Sequence, residues 1–154
     1  MLDNSNIFYK KKILIYGLGK SGLSALKYLK KYNQITTYDD KTKNNIKKII
    51  KVKFDCIIIS PGIDIYKCSL SKFLKNNYKK IYTDLDIFYN HHKKNSKITI
   101  TGTNGKSTTA KILYEILKDQ KKDVRLVGNI GNPVLLEKKV TNKTVFVIEA
   151  SSYQ

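Results

Sequence analysis

The sequence predicts an α/β fold: a Rossmann-like, parallel-sheet domain followed by the start of a second α/β domain that contains a phosphate loop. Three observations predict it. Short β-rich runs alternate with helical patterns along all 154 residues, one glycine-rich turn (Gly17–Gly22) follows the first run, and another (Thr101–Thr108) follows a later run. We therefore expect two domains, residues 1–92 and residues 93–154.

The first strand is predicted at Lys12–Tyr16 and leads into Gly17–Gly22, which fits G-x-G-x-x-G. Glycines at these positions allow a tight turn and the close approach of a pyrophosphate. A helix should follow, because Leu23, Leu26 and Leu29 recur at helical spacing. Close packing of strand against helix is the structural alternative for these glycines.

The second strand, Ile35–Tyr38, ends in Asp39 and Asp40, at the distance from the glycine turn where an acidic residue contacts a ribose. Together with the glycine turn, this predicts a site for a dinucleotide or a nucleotide sugar. The pattern does not choose between NAD and a UDP-sugar.

The rest of the first domain continues the alternation and ends in a polar linker, 91–96, whose adjacent histidines we interpret as solvated rather than metal-binding. The turn Ser60-Pro61-Gly62 follows a buried strand, at the edge where parallel sheets bind ligands. The remaining predicted elements are helices at 44–51, 69–77 and 84–89 and strands at 56–59 and 81–82.

The loop Thr101–Thr108 lies between the apolar run Ile98–Ile100 and a helical pattern. Backbone N–H groups of such a loop converge on phosphate oxygens, and the helix N-terminus adds partial positive charge. Lys106 can reach the β- and γ-phosphates, and the Ser107 or Thr108 hydroxyl can ligate Mg²⁺. Ile100 stands where the general pattern has its first glycine, and an ordinary strand–turn–helix junction is the alternative. We predict that the loop binds ATP.

Two further strands are expected in the second domain. Val124–Val127 runs into another glycine-rich turn, Gly128–Pro133, and Thr144–Glu149 is a continuous apolar run typical of a central parallel strand. Glu149 ends that strand like the carboxylate that holds Mg²⁺ opposite a phosphate loop. The alternative is a strand-terminal glutamate that faces water.

Composition excludes several classes of protein. The net charge is +18, but of the 30 basic residues only Arg125 is an arginine, and the lysines are scattered, so nucleic acid is not the expected primary partner. No apolar run approaches the ~20 residues needed to span a bilayer, and no secretory leader is evident. We expect a cytosolic protein. We also expect it to be the N-terminal part of a longer enzyme, because about 60 residues bury little surface for an independent second domain.

The motifs together resemble the Mur ligases, the ATP-dependent amide-bond ligases of peptidoglycan synthesis. The resemblance rests on motifs in the family's order along nearly the whole chain: Gly17–Ser24, Ser60–Ile63, Thr101–Thr108, Gly128–Gly131 and Glu149–Gln154. The shortened loop Gly-Thr-Asn-Gly-Lys-Ser-Thr is the form in which that family has it.

The resemblance implies a branch of the family that joins D-glutamate to UDP-N-acetylmuramoyl-L-alanine, with ATP and Mg²⁺ as cofactors. It implies Lys106 as the catalytic residue on the phosphates and Ser107 and Glu149 near the metal. The implied ATP-binding residues are Thr103, Asn104, Gly105, Lys106, Ser107, Thr108 and Thr109. The implied substrate-binding residues are Gly19, Lys20, Ser21, Asp39, Asp40, Ser60, Pro61, Gly62, Asn129 and Ser151.

Family members continue with the rest of the central domain and a C-terminal domain, so we expect no ligation by this chain alone. Two alternatives stay open at this point. A nicotinamide-dependent oxidoreductase would explain Gly17–Gly22 and Asp39 but leaves Thr101–Thr108 and Glu149 without a role. A non-catalytic nucleotide-binding module would use both glycine-rich turns without chemistry.

Overall fold

The computed structural model describes residues 6–42 and 46–151, and the chain divides into two compact units, residues 1–91 and 92–154. Each unit is a parallel sheet with helices, which confirms the predicted α/β, Rossmann-like fold. Part of the predicted helix at 44–51 and of the last motif, Glu149–Gln154, lies outside the described residues.

The first unit contains a parallel sheet of four strands in the order β2-β1-β3-β4. Its apolar strand β1 lies between β2 and β3 with four of its five residues buried. The elements are β1 (Lys12–Tyr16), α1 (Lys20–Leu29), β2 (Gln34–Tyr38), α2 (Ile46–Ile50), β3 (Cys56–Ile59), α3 (Ser71–Asn76), β4 (Ile81–Tyr82) and α4 (Asp84–His91).

Two details differ from the sequence prediction. Helix α1 buries Gly22, Ala25 and Leu29, whereas Leu23 is 53% exposed, because the side of the helix that meets the sheet is the one carrying its small residues. Helix α4 continues through His91, so the polar linker is shorter than predicted, and the next strand begins at Ser96.

The second unit contains a parallel sheet of three strands in the order β5-β7-β6. Its elements are β5 (Ser96–Ile100), α5 (Lys106–Asp119), β6 (Val124–Gly128) and β7 (Val145–Glu149). The apolar run that was predicted to be central is β7, between β5 and β6. Helix α5 packs on this sheet through a small core of Ala110, Val124 and Val147.

In each unit the strands are parallel, so their carboxyl ends meet at one edge of the sheet. The turn Gly17–Gly22 lies at that edge in the first unit, and the loop Thr101–Thr108 lies at that edge in the second. Among the described residues, no helix is long and apolar enough to cross a membrane.

Candidate functional site

In the first unit, the glycine turn Gly17–Gly22 is fixed by the strands on either side of β1. The Gly17 N–H donates to the Tyr38 carbonyl at the end of β2 (2.8 Å), and the Ser60 hydroxyl after β3 donates to the Gly17 carbonyl (2.8 Å). Gly17 has a φ of +88°, which favours glycine. A Cβ atom on Gly22 would lie 1.8 Å from the Gly17 carbonyl oxygen, so helix and turn approach too closely for any side chain.

The two acidic residues after β2 are both held by the protein. Asp39 accepts hydrogen bonds from the backbone N–H groups of Leu18 (2.7 Å) and Lys41 (2.9 Å), and these bonds lower the pKa of its carboxyl. Asp40 accepts a hydrogen bond from the Tyr16 hydroxyl (2.7 Å) and another from Ser69. Burial, reinforced by the Asp40 carboxylate, raises the pKa of Tyr16. Both aspartates therefore stabilise the edge of the site from within.

A further carboxylate near the glycine turn was missed by the sequence analysis. Asp84, the first residue of α4, is only 5% exposed. Burial raises the pKa of its carboxyl, although the neighbouring Ser21 side chain acts to lower that pKa. The two residues are 63 positions apart in the chain, and no local pattern marks Asp84 as anything but a helix start, so sequence reasoning could not have paired them.

The remaining predicted substrate residues of this unit lie at the same edge of the sheet. Among the residues that the structure describes, no atom lies within 4 Å of the place where a Cβ on Gly19 or Gly62 would stand, so these residues leave space over both turns. Lys20 is exposed, and Pro61 is half-buried in the turn after β3. The structure thus brings together Gly19, Lys20, Ser21, Asp39, Asp40, Ser60, Pro61 and Gly62 around the carboxyl ends of β1, β2 and β3.

In the second unit, the phosphate loop connects β5 to α5. Gly102 (φ +140°) and Gly105 (φ +74°) adopt conformations that favour glycine, and Gly105 is the N-cap of α5. Lys106 begins the helix, and its ammonium group donates to the carbonyl oxygens of Gly102 (2.6 Å) and Thr103 (3.1 Å). The lysine charge is therefore held over the loop. Thr103, Asn104, Ser107, Thr108 and Thr109 are exposed there.

Glu149 lies at the end of β7, paired in register with Ile100 of β5 and Gly128 of β6. It is 4% exposed, and its Oε2 atom is buried without a hydrogen-bond partner in the described part of the chain. A buried carboxylate oxygen without a partner is costly unless a cation satisfies it. Glu149 is therefore suited to bind a metal ion. The alternative hypothesis, a strand-terminal glutamate that faces water, does not agree with its burial.

Asn129 lies beside Glu149 in the turn that follows β6. Its backbone N–H donates to the Glu149 carbonyl (3.0 Å), and the side chain is exposed. A Cβ atom on Gly128 would lie 2.2 Å from that same carbonyl oxygen, so the turn requires glycine to come this close. Ser151, half-buried, follows Glu149 by two residues at the carboxyl end of β7. The phosphate loop, Asn129, Glu149 and Ser151 thus share one edge of the sheet.

Comparison with known proteins shows which proteins this chain is similar to. Residues 100–154 match the family model "Mur ligase middle domain". The chain is 36% identical to a UDP-N-acetylmuramoylalanine–D-glutamate ligase of Rickettsia bellii, over 96% of this chain and 35% of that protein. It is 39% identical to the ligase of the same name from Buchnera aphidicola, over 96% of this chain and 36% of that protein. The chain belongs to the Mur ligase family.

A solved Mur ligase supports the fold independently. The crystal structure of UDP-N-acetylmuramate:L-alanyl-gamma-D-glutamyl-meso-diaminopimelate ligase from Neisseria meningitides superposes with a TM-score of 0.54 at 17% identity, covering 92% of this chain and 52% of that one. At this identity the likeness shows the fold alone. The present chain spans about a third of the length of the curated Mur ligases that it matches, 35% and 36% for the two relatives above.

Proposed function

We propose that this chain works in an ATP-dependent amide-bond ligase that adds D-glutamate to UDP-N-acetylmuramoyl-L-alanine in peptidoglycan synthesis. The observation that carries the proposal is the buried Oε2 of Glu149, which has no hydrogen-bond partner among the described residues and lies at the same sheet edge as the phosphate loop. Relatives bearing the name of that ligase, at 33–39% identity over nearly the whole chain, support the choice of substrates.

In this proposal the second unit binds ATP and Mg²⁺. Thr103–Thr109 surround the phosphates, Lys106 leaves its loop carbonyls to neutralise phosphate charge, and Ser107 and Glu149 hold the metal. The bound Mg²⁺ would supply further neutralisation of the polyphosphate. The N-terminus of α5 points its free N–H groups toward the same anions.

In the first unit the proposed ligand is the UDP portion of UDP-N-acetylmuramoyl-L-alanine. Gly19 and Gly62 leave the space, Lys20 is the nearby cation, and Ser21, Ser60 and Pro61 form the surrounding turns. Because Asp39 and Asp40 already accept protein hydrogen bonds, we expect ribose or base to use their remaining lone pairs or nearby backbone groups. The remaining proposed substrate-binding residues, Asn129 and Ser151, belong to the second unit.

The proposed reaction solves a chemical problem, since a carboxylate is a poor acyl donor. The γ-phosphate of ATP is transferred to the terminal alanine carboxylate, which gives an acyl phosphate and ADP. The amine of D-glutamate attacks the acyl carbon and loses a proton, and phosphate leaves as the amide forms. Lys106 lowers the repulsion between the two anions, and positioning of the reactants lowers the entropic part of the barrier.

The test is a calorimetric titration of this chain with UDP-N-acetylmuramoyl-L-alanine, NAD⁺ and MgATP in parallel. We expect the UDP compound and MgATP to bind and NAD⁺ not to bind. The Lys106→Ala variant should weaken MgATP binding by about tenfold or more and leave the UDP compound unaffected, because it removes one charged contact to phosphate. Lys111→Ala, which removes an exposed charge from the same helix, is the matched control.

Binding of NAD⁺ alone would replace the proposal with a nicotinamide-dependent oxidoreductase. Loss of MgATP binding in the control as well as in Lys106→Ala would mean that only general charge matters. In a complete ligase, Lys106→Ala should lower turnover by orders of magnitude, and near-normal turnover would remove Lys106 from its proposed role.

A further inference from the structure

The turn that carries Asn129 is supported by a charged network that the proposed function does not use. The turn, Gly128–Asn132, leaves the end of β6 and returns beside it: the Asn132 N–H donates to the Leu126 carbonyl (3.3 Å) and the Gly128 N–H to the Asn132 carbonyl (3.2 Å). We call this segment the glycine–asparagine turn. Because it is held to β6 by only these few backbone bonds and a short bridge at Val127, side-chain support can decide its conformation.

That support comes from Arg125 and Glu137. The Asn132 side-chain amide donates to Glu137 Oε1 (2.7 Å), and Arg125 Nε lies 3.3 Å from Glu137 Oε2. The Glu137 side chain is only 8% exposed, so its charge is compensated by these two partners. We call Arg125, Asn132 and Glu137 the Arg125 network. It joins the middle of β6 to the returning end of the turn.

That the basic residue of this network is an arginine rather than a lysine supports its role in holding the turn. Arg125 is the only arginine among the 30 basic residues. Besides Glu137, it contacts the Asp123 carboxylate and the Val124 carbonyl (3.0 Å). A planar guanidinium can bridge two carboxylates in fixed directions, whereas a lysine ammonium is a flexible point charge. The one arginine thus stands where directional bridging is required.

We propose that Arg125 and Glu137 are positioning residues: through Asn132 they hold the glycine–asparagine turn in the conformation that places Asn129 beside Glu149. The relevant contact is the hydrogen bond from the Asn129 N–H to the Glu149 carbonyl, next to the carboxylate proposed for the metal. The functional importance of Asn129 rests on the proposed function, but the positioning itself is a property of this chain.

The test is residue-resolved amide hydrogen exchange on the 154-residue chain. Glu137→Ala should accelerate exchange of the Asn129 and Asn132 amides by about tenfold or more. Without the hydrogen bond from Asn132 to Glu137, opening of the turn costs less free energy. Amides in the middle of β7, such as Val147, should be unchanged. Glu137→Gln keeps an acceptor for Asn132 but loses the ion pair, so its effect should be intermediate.

Glu115→Ala is the matched control, because Glu115 is half exposed on α5 and pairs only loosely with Lys118 (3.9 Å). It should leave the turn unchanged. Equal acceleration across β5, β6 and β7 in Glu137→Ala would show a merely structural role, and unchanged exchange in the turn would also overturn the proposal. If Glu137→Ala does not fold, Glu137→Gln decides by the same comparison.

A titration with MgATP separates this inference from the proposed function. Where the unmodified chain binds MgATP, Glu137→Ala should weaken binding by about tenfold and Glu115→Ala should not, because the turn then no longer holds the end of β7 that carries Glu149, the residue proposed to bind the metal. If the unmodified chain does not bind MgATP, the proposed function fails, and the exchange data still decide whether the Arg125 network positions the turn.

Discussion

The glycine turn Gly17–Gly22 and the phosphate loop Thr101–Thr108 look alike in sequence but differ in what their groups contact. In the first unit the protein itself uses the turn: Ser60 donates to the Gly17 carbonyl, Asp39 accepts from the Leu18 N–H, and Gly22 fits against Gly17. In the described part of the second unit, no atom lies within 4 Å of the place where a Cβ on Gly105 would stand, and Lys106 donates to carbonyls of its own loop.

The difference shows that one sequence signal has two physical origins. In the first turn, glycine is required because another backbone lies where a side chain would be. In the phosphate loop, glycine is required for its positive φ and for the space it leaves. The first turn should therefore be formed before any ligand binds. The second unit should respond strongly to a cation, because Glu149 Oε2 has no hydrogen-bond partner within residues 6–42 and 46–151. Each prediction below tests that contrast.

The largest expected effect is that of Gly22→Ala. Its new methyl group would lie 1.8 Å from the Gly17 carbonyl oxygen, which belongs to backbone and cannot rotate away. We expect a loss of stability on the order of 3 kcal/mol in the first unit, as for severe overpacking. Urea unfolding followed by tyrosine fluorescence measures it.

Gly19→Ala is the control for that experiment, because no described residue has an atom within 4 Å of the added methyl group and the φ of Gly19 is −72°. The cost should stay below about 1 kcal/mol, the usual effect at a helix N-cap. The same variant should weaken binding of the UDP compound, since the methyl group enters the proposed ligand space. Equal destabilisation by the two substitutions would contradict the distinction between Gly22, which is required because backbone lies against it, and Gly19, which leaves space for a ligand.

Glu149→Gln gives the next largest effect, and its sign depends on the cation. Without Mg²⁺, the neutral and nearly isosteric side chain should leave stability unchanged or raise it by about 1 kcal/mol, because it replaces a carboxylate whose buried Oε2 has no hydrogen-bond partner in the described part of the chain. With MgATP, the stabilisation seen in the unmodified chain should disappear. Thermal unfolding in EDTA and in MgATP measures both.

The control here is Glu115→Gln, an equivalent change at an exposed position on α5. It should alter neither condition. A loss of several kcal/mol by Glu149→Gln in EDTA would instead make Glu149 a structural residue, and the two units would then differ less than we propose.

Local sequence patterns were sufficient for the fold because the signals are local. The apolar runs of β1, β3 and β7 and the glycines between strand and helix are read within about ten residues of chain. The partners of the site residues are not local. Asp40 meets Tyr16, 24 positions before it, and Ser69, 29 positions after it. These pairings depend on the order of strands in the sheet, which periodicity does not encode.

The face of helix α1 that packs on the sheet could not be predicted from the sequence either. The spacing of Leu23, Leu26 and Leu29 indicated a helix, but α1 buries the side that carries Gly22 and Ala25, since small residues let the helix approach the sheet. Likewise, the binding roles of Asp39, Ser21 and Ser60 were predicted from motif position alone. The structure adds that Asp39 and Ser60 each have a hydrogen-bond partner inside the protein and that Ser21 lies near the buried Asp84. Their ligand contacts stay predictions.

The smallest expected effect is that of Asp39→Asn, which tests whether the glycine turn is held from within. The carboxylate accepts two backbone N–H groups, from Leu18 and Lys41, whereas an amide offers only one oxygen. Since the site is solvent-screened, we expect a loss of less than about 1 kcal/mol at pH 7. The free energy of unfolding in urea measures it.

The difference in unfolding free energy between the unmodified chain and Asp39→Asn should depend on pH, and the direction of that dependence tests the role of the carboxylate. The hydrogen bonds lower the pKa of Asp39 below 3.8 in the folded state, so the unfolded chain binds more protons as the pH falls. Stability from Asp39 is therefore complete above pH 3.8 and is lost as the pH falls through the folded pKa. The unmodified chain should converge with Asp39→Asn in that acidic window. A difference that stays constant down to pH 2 would show that the carboxylate charge does not hold the turn, and the first site would then depend on its ligand as the second does.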